Sequence, residues 1–391
     1  MTTRALQQLS ADLAAREAAG LGRRRRSVSA RQGVRLTVDG RELLHFGGND
    51  YLGLAGDPRV VAAAQLGAAR YGVGAGAAHL VSGHFAAHDA LERELALWAA
   101  PCADARALLF SAGYMANLAI VSALCGRGDA VFGDRLNHAC LNDAAILSRA
   151  HFVRYRHRDL EALGPRLAES RAPRKLICTD AVFSMDGSLA PLPGLLQLAE
   201  RHDAWLVIDD AHGFGVLGNG RGATAHFGLA SARIVYMGTL GKAAGVGGAF
   251  VAAHRTVIEQ LLQTARSYVY TTASPPLLAC ALQESLALIR GEPQRREHLQ
   301  ALIARLRAGA VALPWPLMPS ETAIQPLQVG SNAAALALSE GLWQRGLWVP
   351  AIRPPTVPRG TARLRITLSA AHSHADVERL LHALAEVAAC R

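Results

Sequence analysis

Between about residues 100 and 255 the chain repeats one unit: a short apolar run, a polar or glycine-bearing loop, then a stretch with helical spacing. The apolar runs are Ala107–Phe110, Ala130–Phe132, Leu176–Cys178, Trp205–Ile208, Ile234–Met237 and Ala249–Val251. Helical spacing covers 114–124, 139–149 and 193–202. Strands alternating with helices predict an α/β domain on a mostly parallel sheet. Such sheets bind ligands beyond the carboxyl ends of their strands, so the chemistry is sought in the loops that follow the runs.

The flanks are organised differently. Residues 4–19 carry helical spacing (Leu6, Leu9, Leu13), and 34–46 alternate like a hairpin with an Asp39-Gly40 turn. Pro275-Pro276 breaks the chain, and helical stretches follow at 277–290 and 295–311. Apolar runs near 323–329 and 362–368 precede an amphipathic helix at 374–388, giving a smaller C-terminal α+β domain. The expected division is an N-terminal helix and hairpin (1–48), a large domain (49–283) and a small domain (284–391).

Charge and cysteine usage remove several classes. No apolar run approaches the ~18–20 residues of a membrane span, and Asp12 and Glu17 weigh against a secretory signal. The six cysteines (102, 125, 140, 178, 280, 390) include no C-x-x-C pair, so a reducing cytoplasm is the expected setting. The net charge of +10 is most concentrated at Arg23–Arg26, yet no helix-turn-helix, zinc-finger or aromatic RNA-binding pattern accompanies it. Nucleic acid is not an expected partner; an exposed basic turn or attraction to an anionic substrate fits instead.

Of 41 basic residues only Lys175 and Lys242 are lysines. Arginine cannot lose its proton near neutral pH and attack a carbonyl; lysine can. Lys175 stands at the polar edge of a strand-like run, where a solvated charge is ordinary. Lys242 stands among small residues, in Met-Gly-Thr-Leu-Gly-Lys-Ala-Ala-Gly, and reads as functional.

Other motifs converge on it. Trp205–Asp209 is a buried-strand pattern running into Asp210-Ala211-His212-Gly213, with Asp209 and Asp210 on opposite faces. Gly213-Phe-Gly-Val-Leu-Gly218 matches G-x-G-x-x-G only formally, because Asn219-Gly-Arg-Gly222 cannot open a helix. Gly241-Lys242 lacks the spacing of a P-loop. His84 and His88 are four apart, but Phe85 stands where a zinc hydrolase has Glu, so packed or surface histidines are expected and no metal. Phe110-Ser-Ala-Gly113-Tyr114 enters a helix whose free amides suit a phosphate. His138, after Asp134, can stack on a planar ring or cap the next helix; Ser184 offers a donor in the loop 180–187. Pyridoxal phosphate accounts for the set. Lys242 serves its aldehyde, Asp209 its ring nitrogen, His212 its phenolic oxygen, His138 its face, and Gly113-Tyr114 its phosphate.

The chain resembles the α-oxoamine synthases, fold-type I pyridoxal-phosphate enzymes that condense an amino acid with an acyl thioester. The resemblance rests on Asn-Asp-Tyr-Leu-Gly-Leu (49–54), Ser-Gly-His (82–84), Gly-Tyr-Met-Ala-Asn (113–117), Val-Phe-Ser-Met-Asp-Gly (182–187), Asp-Asp-Ala-His-Gly (209–213) and Thr-Leu-Gly-Lys (239–242). It implies that Lys242 bonds the cofactor, that Ser184 and Thr239 bind cofactor oxygens, and that Thr271 or Thr272 reaches the phosphate from a partner subunit of a homodimer. It places Arg365 on the amino-acid carboxylate, Asn49 and His138 with the substrate contacts, and Arg23 and Thr356 on the acyl substrate. The stretch from Ala351 to Arg365 resembles the branch using L-alanine with pimeloyl-CoA or pimeloyl-acyl carrier protein, on the route to biotin. The alternatives are a glycine-using relative such as 2-amino-3-ketobutyrate CoA ligase, a general aminotransferase, or a cofactor-binding regulator without turnover.

Overall fold

The computed structural model describes residues 3–23 and 25–389; Arg24 of the basic run and Cys390 lie outside them. The hairpin β1 (Arg35–Val38) and β2 (Arg41–His45) forms as expected, with Asp39 and Gly40 both at positive φ in its turn. Seven strands follow: β3 (Ala105–Phe110), β4 (Ala130–Asp134), β5 (His151–Tyr155), β6 (Lys175–Asp180), β7 (Trp205–Asp209), β8 (Ile234–Thr239) and β9 (Ala249–His254). They make one sheet in the order β3-β9-β8-β7-β6-β4-β5.

The strands from β4 to β8 pair in parallel, but β9 runs antiparallel to both its neighbours, β3 and β8. The cause is the link after β8. Residues 240–248 are too few for a crossover helix, and a parallel return needs about a dozen residues or more. This short link carries Lys242. Strand β5 escaped the sequence pattern because it lies at the sheet edge, where four of its five residues stay exposed or half-buried. Edge position blurs the apolar signature that central strands show.

Two smaller sheets complete the chain. Strands β10 (Ile324–Gly330), β12 (Ala351–Ile352) and β13 (Ala362–Thr367) make one, in the order β10-β13-β12. Strand β11 (Leu347–Trp348) instead joins β2 in parallel, tying the late chain to the hairpin. The helices Pro276–Gly291, Gln294–Gly309 and His374–Ala389 match the expected positions within one or two residues. The first helix, Arg4–Ala18, also forms, but buries nothing: Leu6, Leu9 and Leu13 remain exposed. No helix among the described residues is long and apolar enough to cross a membrane.

Alternation along the central strands explains the core. Ile177, Leu206, Ile208 and Tyr236 pack on one face of the large sheet. Leu176, Cys178, Val207, Val235 and Met237 pack on the other, against the helices Gly113–Leu124 and Ala139–Ser148. Asp209 continues the Val207 side and Asp210 the Ile208 side, as the alternation requires.

Asp210 is fully buried. Its Oδ2 accepts from the Ala223 amide (2.6 Å) and the Tyr236 hydroxyl (2.7 Å), while Oδ1 has no partner. Gly222 sits beside this cluster at φ +98°, where a Cβ would fall 2.1 Å from the Tyr236 hydroxyl, so glycine is required. Burial pushes the Asp210 carboxyl up to about 7, against the opposing Ala223 hydrogen bond. An unfolded aspartate titrates near ~3.9. Across the interval between, the folded protein holds a proton that the unfolded chain releases, so stability falls as pH rises. Asp210→Asn is expected to flatten this slope, by about 1.4 kcal/mol per pH unit at most. Urea midpoints of the two proteins between pH 5 and 7, as on the order of two units of this window, measure it; parallel profiles would contradict the reading.

Candidate active site

The register of the parallel strands brings the functional side chains together. Asp180 pairs with Asp209 across β6 and β7, and Asp209 with Met237 across β7 and β8. Asp180, Asp209 and Thr239 therefore end neighbouring strands at the same edge. The turn after β7 carries His212, and the short link after β8 carries Lys242. Lys242 Nζ lies 3.0 Å from His212 Nε2, and His212 Nδ1 lies 2.5 Å from the Tyr51 hydroxyl. That hydroxyl donates to Asn49 Oδ1 (3.3 Å), which also accepts from Arg365 at 3.4 Å. The chain of donors is self-consistent: Lys242 gives to His212, His212 to Tyr51, and Tyr51 to Asn49.

Burial lowers the proton affinity of Lys242 below that of an ordinary lysine; Asp209 and Asp180 oppose this, and Arg365 adds to it. Burial also drives His212 well below the usual histidine range, reinforced by the charges of Lys242 and Arg365. His212 is thus neutral near pH 7 and can accept at one nitrogen while donating at the other.

Asp209 is held at both oxygens. Oδ2 accepts from Asn117 Nδ2 (2.7 Å), and Oδ1 accepts from the Ala211 amide (3.0 Å). Its neighbour Asp180 accepts the His138 amide at 2.7 Å; burial raises its pKa well above the usual range, and the adjacent Asp209 adds to the rise. His138 caps the helix Ala139–Ser148 by accepting the Cys140 amide at Nδ1 (3.3 Å), and its ring stays exposed. The capping role foreseen for it is real and leaves a face free for stacking.

Gly113 opens the helix Gly113–Leu124, whose start has no side-chain cap. A Cβ at Gly113 would fall 2.9 Å from Thr239 Cγ2, so only glycine lets the amides stay open beside Thr239. The Tyr114 hydroxyl bonds Asp143, and that of Thr239 donates to the Ala211 carbonyl (3.2 Å). Arg365 is buried, and its Nε donates to the Ser184 carbonyl (2.6 Å). Arg23 and Thr356 line a separate cavity of about 310 Å³ with Arg16, Ile352 and Arg353. Among the described residues no hydrogen bond ties Thr271 or Thr272 to the Lys242 cluster; Thr272 is exposed. Sequence reasoning did not single out Tyr51, Asn117 or Asp180, although all three stand inside or beside the motifs it quoted.

The class I and II aminotransferase family model matches residues 41–384. The 8-amino-7-oxononanoate synthase of Herminiimonas arsenicoxydans is 59% identical over 384 residues, covering 97% of this chain and 98% of that protein. The chain belongs to the 8-amino-7-oxononanoate synthases. Among solved structures, a serine palmitoyltransferase variant from S. paucimobilis with a bound PLP–myriocin aldimine superposes with a TM-score of 0.91. It is 28% identical and covers 98% of this chain and 97% of its own. An 8-amino-7-oxononanoate synthase from Francisella tularensis gives a TM-score of 0.76 at 30% identity, covering 88% and 97%. The fold is that of the fold-type I pyridoxal-phosphate transferases. The donor set suits that cofactor: one amine of lowered basicity, a doubly held carboxylate, a neutral histidine, and open helix amides beside a glycine that admits no side chain.

The lysine count makes one property directly measurable. In protein freed of cofactor, an aldehyde reagent followed by borohydride at about pH 7 is expected to label Lys242 ahead of Lys175, which donates to the His202 carbonyl. Peptide mass spectrometry reads both sites. Faster labelling of Lys175 would contradict the lowered proton affinity of Lys242.

Proposed function

We propose that the chain joins L-alanine to the pimeloyl group of pimeloyl-CoA or pimeloyl-acyl carrier protein, releasing the thiol and CO2 and giving 8-amino-7-oxononanoate for biotin synthesis. The observation that carries this reading is the Lys242–His212 contact, inside a network that also reaches Arg365. The relatives' printed name supports the product, and the Ala351–Arg365 stretch supports alanine.

Pyridoxal phosphate, when bound, supplies an aldehyde that captures the substrate amine and a ring that accepts electrons from its α-carbon. Asp209, fixed by Asn117 and the Ala211 amide, presents a carboxylate to a protonated ring nitrogen. His212 would serve the phenolic oxygen, and the His138 ring would lie against the cofactor face. Ser184 and Thr239 serve its oxygens, and the Gly113 and Tyr114 amides its phosphate, with Thr271 or Thr272 of a second copy. Arg365 pairs with the alanine carboxylate, with Asn49 alongside. Lys242, neutral for part of the time because burial lowers its basicity, takes the α-proton and returns it after decarboxylation. Arg23 and Thr356 meet the acyl substrate, and their cavity is lined by further arginines suited to an anionic carrier. A homodimer with shared sites and the division at 48 and 283 belong to the same reading. A cytoplasmic setting fits too: the cysteines among the described residues are free.

Lys242→Arg keeps the charge but cannot bond an aldehyde. It is expected to lose the visible cofactor band and turnover by several orders of magnitude. Normal turnover in this variant would remove the assignment. Titrating the wild-type band with L-alanine and with glycine tests the substrate. Alanine is expected to shift it at lower concentration; a glycine preference would keep the cofactor chemistry and overturn the substrate.

A further inference from the structure

A second polar cluster lies outside this site. The turn His79–Gly83 and the start of the helix Ala86–Trp98 bring His79, His84 and His88 together, with one ring nitrogen from each within 4.8 Å of the others. Nδ1 of His79 and Nδ1 of His84 share a hydrogen bond of 3.0 Å, which an ion bound between them would replace. A tetrahedral ion bonded to two imidazoles at roughly 2.0–2.1 Å holds their nitrogens about 3.3 Å apart, so a small movement seats one between them. The far nitrogen of His84, Nε2, faces Glu92 at 4.0 Å, longer than a hydrogen bond, and a small ring rotation would make this carboxyl the outer partner a metal-bound imidazole commonly has. Glu92 is anchored by the Leu109 amide, and the His79 ring stacks on Tyr268 at 5.3 Å and 5°.

His88 packs beside this pair from the helix. It is fully buried, and its Nδ1 accepts the Phe85 amide (3.1 Å), so the neutral ring carries its proton on Nε2. The Ser274 carbonyl is the hydrogen-bond partner that favours that proton.

We propose that His79 and His84 bind a divalent transition metal of the zinc, nickel or copper class through their Nδ1 atoms. Water completes the coordination, and Glu92 stands near enough to His84 to become its outer partner. Imidazole donors select this class over magnesium or calcium. The sequence spacing alone pointed away from a metal, because it joined only His84 to His88; the turn brings in His79. The ion would sit outside the Lys242 network and hold the turn to its helix.

The test uses untagged holoenzyme stripped with a chelator and titrated calorimetrically with Zn2+. One equivalent per chain is expected. His84→Ala, at an exposed position, is expected to weaken binding at least about tenfold, and Glu92→Gln about tenfold through the outer shell. The visible cofactor band reports that each variant is folded. Absence of a binding heat in the wild type, or equal uptake by wild type and His84→Ala, would overturn the proposal.

Discussion

The contact between Lys242 and His212 is where distant parts of the chain become one site. Lys242 comes from the link after β8 and His212 from the turn after β7. Tyr51 and Asn49 come from the loop after the hairpin, and Arg365 from β13, more than three hundred residues later. Backbone bonds hold these pieces in reach. The Phe46 carbonyl accepts from Thr367 (2.7 Å), and the Tyr51 carbonyl from Ala370 (2.8 Å). The loop at 49–54 is thus clamped between the large sheet and the C-terminal strands. A side-chain network inside such a clamp has little freedom left to lose on binding a ligand, which is what preorganisation means energetically.

Burial sets the chemistry of that network, and both oxygens of Asp209 have defined partners within it. An unpaired buried carboxylate would be strongly disfavoured. Asp209 escapes this penalty through Asn117 and the Ala211 amide, whereas Asp180 escapes it by binding its proton more tightly. Two carboxylates at paired positions of adjacent strands are separated in role by their surroundings, since like charges so close cannot both be favourable. Asp210 follows a third route: it faces the opposite side of the sheet and serves Tyr236 and Ala223. Three aspartates near one sheet edge therefore have three functions, assigned by strand alternation and register.

Much of this was legible from residue order. The strand-and-loop repeat gave the central sheet, and the rarity of lysine isolated Lys242. Alternation separated Asp209 from Asp210. What was not legible depends on neighbours that sequence spacing does not contain. Strand β5 lies at an edge and so lacks an apolar face pair. Strand β9 reverses because its link is short, a constraint on length that hydrophobic pattern does not report. Leu6, Leu9 and Leu13 have perfect helical spacing, yet periodicity states only that a face exists, and no part of the described chain covers it. Asn117 and Tyr51 act through partners 92 and 161 residues away, so nothing in their local sequence announces a polar role.

The balance at Lys242 shows why the site needs all its parts. Burial and Arg365 lower the basicity of the amine, while Asp209 and Asp180 raise it. A charged carboxylate at either position favours the ammonium form of the amine. Burial and Asp209 favour the neutral acid at Asp180, which weakens that pull on the amine. The proton on Asp180 thus helps keep Lys242 reactive, although the two side chains share no hydrogen bond among the described contacts. Asn117 contributes in the opposite sense, by fixing the one carboxylate that is to remain a partner for positive charge. An arginine at 242 would make this balance irrelevant, since its guanidinium stays charged under any of these fields. In a chain that uses arginine almost everywhere else, the electrostatic surroundings of this position are arranged around a group that can be neutral.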